Sequence, residues 1–187
     1  MFLFALATAA MAAQPLSTAP TEMLGIDAPD EFQVGNQQRN EKIELTELVV
    51  PPETVDTWSS KLITSLMVFG AAPTGVDQFY GQWRDTMRSA CPGITDAPIR
   101  GTVDGHSAIR STLSCPKNPE TGKPETLGTV LVQGDANMMM VQVAFRHALA
   151  PEDRALIEHV ARSLKVCDER TIASCSARKA TGFLTAK

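Results

Sequence analysis

Apolar and polar positions change period several times along the chain, and each change marks an element. In "TGVDQFYGQWRDTMRSACPG", Val76, Phe79, Tyr80, Trp83 and Met87 recur at i, i+3, i+4, i+7 and i+11, which is one face of an α-helix. Thr74, with Asp77 three residues on, reads as its N-terminal capping pair, and Pro92-Gly93 ends it. The pattern then shortens to alternation. In "PIRGTVDGHSAIRSTLSC", Ile99, Gly101 and Val103 alternate with polar residues, a turn falls at Asp104-Gly105, and Ile109, Leu113 and Cys115 share a face. "TLGTVLVQ" and "NMMMVQVAFR" flank a second turn at "GDA" and predict a second hairpin. A second helix follows in "APEDRALIEHVARSLKVC", with Pro151 at its start, acids in its first turn and the apolar stripe Leu156, Ile157, Val160 and Leu164.

Upstream, "EKIELTELVV" has strand composition and is stopped by Pro51-Pro52. The piece after it supports two readings. Val55, Trp58, Leu62, Leu66 and Phe69 sit at helical spacing, yet residues 62–69 are also a short apolar run of the kind a buried strand gives. The element order predicts an α+β domain, an antiparallel sheet of about six strands with two main helices packed on it.

The first residues, "MFLFALATAAMAAQPLSTAP", carry an apolar stretch followed by small residues at signal-peptidase spacing. That stretch is shorter than the roughly 20 apolar residues a bilayer span needs. We expect a signal peptide over 1–13, an extended lead-in over 14–30, one domain over 31–167 and a polar tail over 168–187. The expected location is periplasmic or secreted, without a stable membrane span. Four cysteines suit such an oxidising compartment: Cys91 closes a predicted helix, Cys115 a predicted strand, and Cys167 and Cys175 flank a short loop. The pairs expected are Cys91–Cys115 and Cys167–Cys175. With 17 basic and 21 acidic residues and no long basic run, the chain offers no surface that tracks nucleic-acid phosphates.

The stretch "VVPPETVDTWSSKLITSLMVFG", followed by the amphipathic helix, the strand meander and the closing helix, resembles the PsbP-like α+β superfamily, which has exported bacterial members. The resemblance spans roughly residues 31–167 in element order. It implies that residues 58–69 form a strand and that the role is accessory, assembly or binding, with no shared catalytic centre. It carries no functional residue across.

Few residues suggest chemistry. Met138, Met139 and Met140 alternate faces on a strand, so at most Met138 and Met140 could share a Cu(I) ion; core packing is the simpler use of all three. His106, His147 and His159 lack H-x-x-x-H spacing, and no G-x-S-x-G or glycine-rich phosphate loop occurs. Trp58, Phe79, Tyr80 and Trp83 are an aromatic set that either packs on the sheet or lines an apolar groove for a ligand or partner peptide. The expectation is an exported, non-catalytic accessory or binding protein of the bacterial cell envelope, with no cofactor, whose partner is an envelope protein or small ligand. The alternatives are soft-metal handling through Met138 and Met140, and a periplasmic enzyme with His106 or His147 beside a carboxylate from a distant segment.

Overall fold

A computed structural model describes residues 22–168. The expected signal peptide, Cys175 and all but the first residue of the polar tail lie outside them. The elements are β1 (Met23–Gly25), β2 (Gln33–Arg39), β3 (Ile43–Val49), β4 (Lys61–Val68), α1 (Val76–Ala90), β5 (Thr95–Asp96), β6 (Ile99–Val103), β7 (His106–Cys115), β8 (Glu125–Gln133), β9 (Met138–Phe145), α2 (Pro151–Ser163) and β10 (Lys165–Cys167). Eight strands form one sheet in the order β2-β3-β4-β9-β8-β7-β5, with β6 also paired to β7; β1 and β10 make a small second sheet. Every described pairing is antiparallel.

The α+β class is therefore as expected, but the strand number of about six is too low. The strands missed are those whose sequence lacks a period. β2, "QVGNQQR", is exposed along almost its whole length and exists because β3 pairs with it. β1, β5 and β10 are two or three residues long. Residues 61–68 are a strand, so the helical spacing of Leu62 and Leu66 was fortuitous.

Register sorts the core into two faces. On one, Met139, Val141, Val143 and Phe145 pack with Val130, Val132, Ile157 and Val160, so α2 covers this side. On the other, Met138, Met140, Leu131 and Ile109 pack with Val76 and Tyr80, so α1 covers that side. β9 is buried on both faces except at Gln142, which explains why its apolar run does not alternate.

The described part of the lead-in also joins the core: Leu24, Ile26 and Ala28, with Phe32 just beyond it, are buried against the α2 face. Glu22 ties its start. Its carboxylate accepts backbone N–H groups from Asp135, Ala136 (3.1 Å) and Asn137 (3.0 Å) in the β8–β9 turn. A Cβ on Gly134 would lie 2.6 Å from that carboxylate, so a side chain there would displace Glu22 from the turn.

Helix α1 starts differently from its predicted capping. Thr74 belongs to a short 3-10 turn, Gly75 at φ 78° is the N-cap, and no side chain of the helix itself caps it. The Val76 N–H instead donates to Gln133 Oε1 on β8 at 3.0 Å, a cap supplied by the sheet. At α2, Asp153 accepts the Ala150 N–H at 2.8 Å, closing the first turn from within.

The α2 seat is tight at one point. A Cβ on Gly128 would meet Ile157 Cγ1 at 2.6 Å and Cγ2 at 2.7 Å. Gly128→Ala should cost about 1–3 kcal/mol by overpacking. In thermal unfolding, the Gly128→Ala/Ile157→Ala pair should fall clearly short of the sum of its single losses. Strict additivity would mean that α2 is not seated on Gly128.

Candidate functional site

The face under α1 carries the polar chemistry. Register places Asn36, Glu47, Thr64, Gln142, Thr129 and Ser111 in one row across six strands. Apolar rows flank it: Leu45, Leu66, Met140, Leu131 and Ile109 on one side, Val49, Leu62, Ala144, Leu127 and Leu113 on the other. A polar row inside an apolar face must be hydrogen-bonded or wet. At its α1 end, Ser111 Oγ and Tyr80 Oη (2.6 Å) both donate to Asp96 Oδ1. Thr129, 1% exposed, has no partner for its hydroxyl among the described residues. At the far end, Asn36 Nδ2 donates to Glu47 Oε2 at 2.8 Å. Between these, Glu47, Thr64 and Gln142 are half-buried, as are Leu45 and Leu66 beside them.

Helix α1 overlies β7 and β8. Its C-terminal end is fastened by Cys91–Cys115, Cα–Cα 6.0 Å, the first of the two expected bridges. No described cysteine is free; the second expected pairing falls on Cys175, outside the described residues. Closing this loop is worth about 3 kcal/mol in the chain-entropy view.

The four aromatic residues of the expected groove do not gather at one point. Tyr80 is buried, with its ring 5.6 Å from that of Trp83, and Phe79 and Trp83 pack half-buried against the cluster of Val76, Tyr80, Ile109, Leu131, Met138 and Met140. Trp58 is buried in a separate cluster with Val49, Leu62 and Ala144. Arg146 stacks on it at 3.8 Å and donates to its carbonyl at 2.7 Å. All four nevertheless address the same sheet face, α1 over one half and Trp58 at one end of the other. The half-buried shelf of Leu45, Glu47, Thr64, Leu66 and Gln142 lies on that second half. No sequence signal marked Glu47, Thr64 and Gln142, because only strand register puts them side by side.

The methionines are core. Met138 and Met140 share the α1 face among apolar side chains, and Met139 lies on the other face, opposite Met67. Of the histidines, His147 Nε2 meets Asp153 Oδ2 at 2.8 Å, but that carboxylate is six residues away and caps α2. His106 lies 3.9 Å from the exposed Asp135, and His159 bonds the Asp27 carbonyl at 2.9 Å. Among the described residues no group of three or more His, Cys, Asp and Glu could hold a metal. A cleft of about 600 Å³ opens between residues 27–31 and the start of α2, lined by Asp27, Glu31, Lys61, Glu152, Asp153 and His159 among others. Its Lys61 is paired with Glu31 and its Asp153 is spent on the cap. No described helix is long and apolar enough to cross a membrane.

No family model and no curated protein matches the chain. Among solved structures it is similar to PA94, a Pseudomonas aeruginosa protein of unknown function (10% identity, TM-score 0.41), and to LpqN of Mycobacterium tuberculosis, which is involved in cell envelope biogenesis (13%, 0.44). In both cases 80% of this chain and 86% of the other are covered. Likeness at this level assigns neither a family nor a role, and the PsbP-like assignment stays a matter of sequence pattern.

Burial, reinforced by the bond to Asp96, pushes the Tyr80 phenol up to about 12. Tyr80 is the chain's one tyrosine, so tyrosinate absorbance reads it alone. The titration should stay flat through the ordinary range near 10 and rise only towards about 12. A raised acid pKa favours the protonated folded state. This contribution to stability is therefore full below pH about 10 and lost as pH climbs towards 12. A midpoint at the ordinary value would deny the buried bond.

A second titration concerns the seat of α2. Arg110 on β7 grips Glu158 on α2 through both guanidinium ends, Nη1 to Oε2 at 2.9 Å, and this bond holds the carboxyl below its usual range. A depressed carboxylate stabilises above its unfolded pKa and loses that effect as pH falls through the folded value. Glu158→Gln should cost about 0.5–1 kcal/mol at neutral pH, given the partial exposure of the pair. The Tm gap to the parent should close in acid; a gap independent of pH would show that the charge is not what matters.

Proposed function

We propose that the chain is an exported, non-catalytic accessory protein of the bacterial cell envelope that holds a small amphipathic ligand on the open half of the α1 face. The observation carrying this reading is the shelf itself. Leu45 and Leu66 offer an apolar track, and Glu47, Thr64 and Gln142 in the adjoining row offer donors and an acceptor at strand spacing, about 4.8 Å apart. A ligand apolar along one edge and hydrogen-bonding along the other fits such a floor, and Leu66 of the track packs against the same buried cluster as Phe79 and Trp83 of α1. The disulfide supports the compartment, since such bonds persist where the surroundings are oxidising. Soft-metal handling has no support from Met138 and Met140, whose sulfur-bearing side chains are packed away from solvent.

The test is recovery of the chain from a periplasm under non-denaturing conditions, followed by native mass measurement. A retained small compound is expected on the parent and on Lys123→Glu, a loop variant. It should be lost from Gln142→Ala and Leu66→Glu, with folding of each checked by the Tyr80 titration. A mass free of any compound, or a retained polypeptide in its place, would overturn the ligand reading.

A further inference from the structure

The two large apolar residues most exposed to solvent among those described are Val34 (46%) and Ile99 (67%), and they sit on the two opposite edge strands of the main sheet, β2 and β6. Edge strands present unpaired N–H and C=O groups, and proteins blunt them with bulges, charges or proline. β2 is blunted: its register with β3 shifts between Val34 and Asn36, a bulge at Gly35, and its other side chains are polar. β6 is not. Its pairing with β7 runs without a break from Ile99↔Arg110 to Val103↔His106, and its one charge, Arg100, is engaged by Asp77 on α1 at 2.7 Å.

We propose that β6 is a homodimer edge: two copies of the chain pair antiparallel through Ile99–Val103 about a two-fold axis at Gly101, joining their main sheets into one. Reversed on itself, the strand "IRGTV" is self-complementary. Ile99 falls opposite the partner's Val103, two β-branched side chains on one face, and Arg100 falls opposite the partner's Thr102 on the other. No like charges oppose directly. At the axis glycine meets glycine, and a Cβ on Gly101 would find nothing within 4 Å, so the centre is open to close approach.

The backbone agrees. Asp104 and Gly105, both at positive φ (49° and 86°), form a two-residue turn that closes Val103 onto His106. Val103, Gly101 and Ile99 thus direct their N–H and C=O groups to β7, and by alternation Arg100 and Thr102 direct theirs outward. In the dimer each outward Arg100 exchanges both bonds with the partner's Thr102. Pro98, lacking an N–H, ends the ladder on one side and the Asp104-Gly105 turn ends it on the other. This edge, unpaired among the described residues, therefore matches its own length, which is what an isologous contact requires.

Sedimentation equilibrium of the full chain tests this, with three variants alongside. The parent should sediment at twice the chain mass. Thr102→Pro removes an outward N–H and Ile99→Lys places a charge opposite Val103; both should sediment as single chains, with the Tyr80 titration and Tm confirming the fold. Val34→Lys on the β2 edge should remain dimeric. A monomeric parent overturns the proposal, as does a dimer that survives both β6 variants, or one that Val34→Lys dissociates.

Discussion

The structure depends on keeping both faces of β9 dry. Seven of its eight residues are buried, so a single covering layer cannot satisfy it. An antiparallel sheet can usually leave one face to solvent; this one cannot, and a helix is required on each side. That requirement sets where α1 and α2 go. It also accounts for the three adjacent methionines, since an unbranched side chain fills whichever gap the two helices leave on opposite faces.

The two helices meet the requirement by different means. α2 lies over β8 and β9 and is set by shape, through Ile157 against Gly128, with the Arg110 fork as an outer tie. α1 lies over β7 and β8 and is fastened at both ends, by the Gln133 amide at its start and the disulfide at its close. Between those fastenings the Tyr80–Asp96–Ser111 cluster satisfies polar groups that burial would otherwise penalise. Because α1 lies mainly over β7 and β8 and reaches only the Met138 and Met140 end of β9, the same polar row emerges half-buried over β4 and β3. The shelf is thus a consequence of covering a wide sheet with one narrow helix. The cluster that rigidifies the helix and the floor that could take a ligand are two ends of one row.

The acidic cleft on the α2 side shows how a concave, charged place can still be structural. Of its carboxylates, Asp153 serves as a helix cap and Glu31 as the partner of Lys61. The nearby histidines have carbonyl or capping partners instead of the nucleophile–base–orienter chain that hydrolytic chemistry needs.

What the sequence determined by itself were the elements with a strong period: α1, α2, the two hairpins, the α+β class and the bridge between Cys91 and Cys115. Each follows from local spacing, because 3.6- and 2-residue periods and turn residues are properties of neighbours along the chain. What only the tertiary structure decided needs partners far apart in sequence. β2 has no pattern and is made a strand by β3; Leu62 and Leu66 fit both periods until β9 pairs with β4; Gly75 caps α1 only because Gln133 is brought beside Val76. The row from Asn36 to Ser111 is the clearest case. Its six residues come from six strands and none is unusual where it stands. They become a floor only when hydrogen-bonded registers, which no single segment encodes, line them up on one face.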